Sequence, residues 1–112
     1  MEKPQHFIVE ITPQAEQHYW ELLLYLYQTH SVDSAEHKSD EILNLALSLD
    51  NNPYRGRIEN QLEYLNKSHR FLVYFITNRK TVKIIYFVEN NIVYVTDFFT
   101  TEMDPDRIKK RN

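Results

Sequence analysis

Between residues 54 and 83 the chain gathers cations able to hold an anion: Arg55, Arg57, Lys67, Arg70, Arg79, Lys80 and Lys83. Arg70 has the best geometry for it, because a planar guanidinium can brace a phosphate through two parallel bonds. His69 beside it titrates near neutrality and could give or take a proton. Each of these residues also has a plainer reading. Arg70 could anchor the preceding loop through an ion pair, and His69 could be a packed ring. Lys67 lies in Asn66-Lys67-Ser68, a turn-like stretch where a lysine is ordinarily solvated. The residues leave both readings open.

Other chemistries find no constellation. The five histidines, His6, His18, His30, His37 and His69, are scattered. His30 and His37 would stand about 10.5 Å apart on a continuous helix, too far to share a metal. A single glycine cannot build a phosphate-cradling loop. Zero cysteines remove thiolate metal sites, cysteine nucleophiles and disulfides, and suit a reducing compartment. No metal and no cofactor are expected.

Composition bounds the rest. With 112 residues, 42% of them hydrophobic and 26% charged, the chain reads as one domain spanning 1–112. Met1–His6 shows no basic-then-apolar signal pattern and no apolar run nears membrane-spanning length, so the expected compartment is the cytoplasm. A net charge of −3 argues against a protein that lives on phosphate backbones. The charge is uneven, however. Residues 1–50 hold only Lys3 and Lys38 as cations, whereas the 54–83 region and the tail Arg107-Ile108-Lys109-Lys110-Arg111 are locally basic.

Those residues must be positioned by the elements around them. Phe7, Val9 and Ile11 alternate as a first strand. Thr12-Pro13 then caps and opens a helix that should run from Pro13 to about Thr29. Ala15, Tyr19, Leu22, Leu23 and Leu26 mark its buried stripe, broadened by Trp20, Tyr25 and Tyr27. Asp33 and Glu36 resemble a capping box for a second helix with Ala35, Ile42, Leu43, Ala46, Leu47 and Leu49 on one stripe. It should stop at Asp50-Asn51-Asn52-Pro53. Gly56 suggests a special backbone angle within a Pro53–Arg57 turn, and Ile58–Leu65 reads as a loop. Phe71–Ile76, Val82–Val88 and Ile92–Phe99 then form three strands of an antiparallel meander. Thr77–Lys80 and Glu89–Asn91 are its turns, with Asn tolerating positive φ. Phe71, Val73 and Phe75 share one face, and Leu72, Tyr74 and Ile76 the other. Both phases are apolar, so a face left bare by two helices predicts a partner, another protein or a second copy, unless residues 57–66 and the tail seal it.

The order β-α-α-β-β-β, with Pro53-x-x-Gly56, His69-Arg70 opening a hydrophobic strand and Thr96-Asp97-Phe98 in the last one, resembles the RelE/ParE superfamily. These are toxins of bacterial type II toxin–antitoxin modules, and the resemblance covers roughly residues 7–106. It implies an α+β fold, an antiparallel sheet with a helical hairpin packed on one face. It also implies a cognate antitoxin, growth inhibition and plasmid stabilisation. RelE-like members cut messenger RNA on the ribosome without a metal, whereas ParE-like members poison DNA gyrase and cleave nothing.

Arg70 matches the family's strand-opening arginine. The site implied is a groove around it, with Lys83 and Lys67 as helpers and His69 as acid or base. Many relatives carry an arginine in an R-x-D-P stretch after the last strand; here Glu102-Met103-Asp104-Pro105 puts a carboxylate where a phosphate-facing cation is expected. No tyrosine follows Tyr94. These departures favour gyrase over the ribosome as target. A metal-independent mRNA endoribonuclease and a catalytically silent interaction domain of the same fold are the alternatives, and self-association as a homodimer is a further partner class.

Overall fold

The computed structural model describes residues 6–101 and 105–112. Its elements are β1 Ile8–Ile11, α1 Pro13–Thr29, α2 Val32–Leu47, β2 Arg57–Ile58, β3 Arg70–Phe75, β4 Thr81–Glu89, β5 Ile92–Thr100 and α3 Arg107–Arg111. Short 3-10 turns at Ser48–Asp50, Pro53–Arg55 and Asn60–Leu65 carry the chain from α2 to β3. The α+β order inferred from sequence holds, with two additions in the supposed loop: the two-residue β2 and the 60–65 turn. The strands form one sheet in the order β1-β5-β4-β3-β2. Its pairs are antiparallel except β1 with β5, which run parallel.

Local chemistry explains most boundaries. Thr12 Oγ1 accepts the Ala15 N–H at 3.2 Å, and Pro13 fills the first helical position. Helix α2 is capped by Ser31, whose hydroxyl accepts from Ser34 N–H at 3.1 Å. The expected Asp33–Glu36 box is therefore not the cap; Asp33 sits in the first turn, where a carboxylate suits the positive helix end. Asn90 and Asn91 take φ of 52° and 64°, the left-handed pair that a tight hairpin demands. The Thr77–Lys80 turn uses no positive φ. Thr77 Oγ1 instead accepts from the N–H groups of Arg79 and Lys80, both at 3.2 Å.

The helices cover the face that carries Leu72, Tyr74 and Ile76. Leu22, Leu26, Ile42 and Ala46 pack there on Val82, Ile84, Tyr86, Val93, Val95 and Phe98. Trp20 and Tyr27 do not join this core, being 57% and 40% exposed. The opposite face is partly sealed. Leu62 from the 60–65 turn and Ile108 from α3 bury against Ile85 and Phe99, with Phe71 alongside. Val73 and Phe75 stay outside that seal, 39% and 64% exposed.

Candidate functional site

Arg70 pairs with Tyr86 across β3 and β4, in phase with Leu72 and Tyr74, so it lies at the end of the helix-covered face. Its Nη1 donates to the Gly56 carbonyl at 2.8 Å, and its guanidinium carbon lies 5.8 Å from the centre of the Tyr54 ring. Tyr86 Oη donates to the Pro53 carbonyl at 2.6 Å and accepts from Gly56 N–H at 3.1 Å. Burial raises the Tyr86 pKa above the ordinary phenol value; the Gly56 bond and the charges of Arg70 and Arg55 oppose the shift. The phenol thus stays protonated and able to donate. Arg55 reaches back to the end of α2, donating to the carbonyls of Ser48 and Asn51 at 3.2 and 2.6 Å.

Gly56 serves this corner in a way the sequence did not reveal. Its φ is −72°, so no special backbone angle is needed. Space decides instead. A Cβ there would lie 2.9 Å from the Phe71 carbonyl and closer still to the Tyr86 hydroxyl.

Lys83, His69 and Lys67 gather on the other face. Lys83 Nζ donates to Glu59 Oε2 at 3.0 Å and lies 4.2 Å from the centre of the Phe71 ring. Glu59 is itself buried, and its second oxygen accepts from Gln61 N–H at 3.2 Å. Lys67 sits 4.9 Å from the centre of the Phe87 ring and pairs with Glu89 at 3.3 Å. The His69 ring packs edge-on against Phe87, centroids 5.0 Å apart, and its Nδ1 is buried without a hydrogen-bond partner among the described residues. Burial pushes the His69 pKa below its ordinary value, the Lys67 charge adds to this, and Glu59 opposes it. The imidazole is accordingly neutral at pH 7.

The single groove around Arg70 expected from the sequence is therefore not formed. Successive strand residues point to opposite faces, which divides Arg70 from His69, and Lys83 faces Phe71 rather than Tyr86. The Glu102–Asp104 stretch, where the cation seemed to be replaced, lies outside the described residues. The tail does fold back. Arg111 Nη2 and Asn112 Nδ2 donate to the fully buried Asp97 at 2.7 and 3.1 Å. His18 Nδ1 lies 2.8 Å from the same carboxylate.

Sequence reasoning passed over Glu59, Tyr86 and Asp97 as organising groups. Two of the three had a signal. A charged residue inside an apolar strand, as Asp97 is, needs a buried partner, and a strand tyrosine facing a core needs one for its hydroxyl. Among the described residues, no three His, Asp or Glu side chains gather to hold a metal, and no helix is long and apolar enough to cross a membrane. A groove of ≈520 Å³ runs between α1 and α2, floored by Tyr19, Leu23 and Leu43, flanked by Trp20 and rimmed by Glu36 and Asp40.

Residues 9–105 match the family model described as ParE toxin of type II toxin-antitoxin system, parDE. The chain belongs to the ParE toxin family. No curated protein and no solved structure gives a match. Membership agrees with the resemblance in element order and makes this ParE-family chain a toxin of the type II toxin–antitoxin class. It carries with it a cognate antitoxin as partner.

Proposed function

We propose that this toxin inhibits growth in the cytoplasm by binding a macromolecular target, DNA gyrase, and that its antitoxin neutralises it by covering the surface it uses. The observation that carries this reading is the fate of the cations. Metal-free RNA cleavage needs converging positive charge beside a proton acceptor, free to meet a pentavalent phosphate. Here Lys83 is held by Glu59, Lys67 by Glu89 and Arg111 by Asp97, while Arg70 faces the other side of the sheet. Binding fits such a surface better than cleavage. Arg70, half-buried, with its remaining guanidinium nitrogens bonded to no described residue, is the target contact we assign first; Lys83, Lys67 and His69 shape the opposite face.

The test is a gyrase assay with the purified chain. Supercoiling should fall, or cleaved DNA accumulate, in proportion to added toxin; antitoxin should reverse the effect, and Arg70→Ala should weaken it while still folded. Unaffected gyrase together with cut mRNA on primer extension would overturn the proposal in favour of the endoribonuclease. Neither effect would leave a silent interaction domain.

A further inference from the structure

The outer edge of β3 is only half covered. Strand β2 pairs Arg57 with Phe71 and Ile58 with Arg70, and goes no further. Hydrogen bonds at the two ends of β3 fix which backbone groups face outward. Glu59 N–H donates to the His69 carbonyl, so odd-numbered residues address the β2 side; Ile76 N–H donates to the Lys80 carbonyl, so even-numbered ones address β4. The N–H and C=O groups of Val73 and Phe75 therefore point out of the sheet beyond the end of β2. Their side chains are the exposed apolar ones of the second face. A groove of ≈290 Å³ runs along them, lined by Arg55, Gly56, Arg57, Phe71, Val73 and Phe75.

Open edges invite pairing, and folded proteins commonly blunt them with proline, an inward charge or a bulge. Residues 71–75, Phe-Leu-Val-Tyr-Phe, contain none of these. The opposite edge, β1, is four residues long and carries Glu10. We infer that Val73–Phe75 is a strand-addition site. Its occupant is an extended segment of the antitoxin, with apolar side chains beside Val73 and Phe75 and an acidic residue against Arg57. This rests on the proposed neutralisation by antitoxin and says where on the toxin part of that partner lies.

Charge argues for such a segment over a second copy of the chain. Antiparallel self-pairing centred on Tyr74 would set residue 71 of one copy against residue 77 of the other. Arg57, paired beside Phe71, would then meet the Thr77–Lys80 turn with its Arg79 and Lys80. An acidic segment meets Arg57 favourably instead.

The experiment is amide hydrogen exchange on the free toxin and on its complex with the antitoxin encoded beside it. In the free toxin the Val73 and Phe75 amides should exchange fast, and those of Leu72 and Tyr74, already bonded to β4, slowly. Complex formation should slow Val73 and Phe75 on the order of 100-fold. Val73→Pro removes one outward N–H that no other strand uses; thermal melting checks its fold. It should weaken antitoxin binding about tenfold, as should Arg57→Glu.

A complex that forms with Val73 and Phe75 exchanging as in the free chain overturns the site and leaves neutralisation standing. Absence of any complex overturns both. Protection of those amides with Arg57→Glu binding as tightly as the parent overturns the acidic chemistry alone. Protection that appears in the free chain and grows with its concentration assigns the edge to a second copy.

Discussion

The two faces of the sheet are built by different means. On the helix-covered face, aliphatic and aromatic side chains from α1, α2 and four strands form a continuous apolar layer, with polar contacts at its margins, among them the Arg70–Tyr86–Gly56 corner and Tyr74 with Glu41. On the other face the apolar cluster is small, namely Leu62, Ile85, Phe99 and Ile108. Lys83–Glu59 and Arg111–Asp97 hold down the segments that cover it. The first face therefore carries most of the folding free energy, since each fully buried aliphatic or aromatic side chain contributes about 1.5–3 kcal/mol. The second gathers charge, and its Lys83, Lys67 and Arg111 are already matched by Glu59, Glu89 and Asp97. A catalyst would need the reverse, cations left unmatched where the substrate sits.

Substitutions can break this contrast. The largest effect is expected for Ile84→Ala, which opens a cavity in the main layer and should cost about 3–5 kcal/mol in urea unfolding. Ile108→Ala should cost about 2 kcal/mol, at the low end of that range, because the five-residue α3 can shift to close the gap. Equal costs would mean that the two faces are energetically alike.

Next comes Lys83→Met, which leaves the buried Glu59 without its cation. A fully buried pair broken on one side costs several kcal/mol. Lys83 is a quarter exposed, so about 2 kcal/mol is expected. Adding Glu59→Gln should restore part of it, and a double-mutant cycle gives the coupling.

Tyr86→Phe comes third. It strips one hydroxyl from both Pro53 and Gly56 and should cost about 1–2 kcal/mol, read from the same unfolding curves.

The smallest effect concerns His69. Its folded pKa lies below the ordinary 6.5, so the unfolded chain takes up the proton first as pH falls. Its contribution is fully retained above that value and is lost as pH drops through it. Stability of the parent should therefore decline between about pH 7.5 and pH 5.5 more than that of His69→Gln. Parallel curves would show that the imidazole is not held neutral by the fold.

Much of the fold was legible because local chemistry and periodicity agreed. Thr12-Pro13, the three- and four-residue spacing in α1 and α2, and Asn90-Asn91 each point to one structure. What was not legible depended on partners distant in sequence. Leu62 and Tyr64 alternate as in a strand, yet Leu62 is buried in a 3-10 turn because Ile85 and Phe99 wait beneath it. Period two does place Arg70 in phase with Leu72. Since both phases of β3 are apolar, the sequence could not say which one the helices cover, and hence that Arg70 and Lys83 would be parted. Gly56 signalled a constraint, but its cause is Tyr86, thirty residues away.

We propose above that this ParE-family toxin works by occupying a target rather than by cutting RNA. The most direct measurement is to induce it in a bacterial host without antitoxin and pulse-label DNA and protein synthesis side by side. DNA synthesis should fall while translation continues. An immediate fall in protein synthesis with DNA synthesis intact would contradict the proposal.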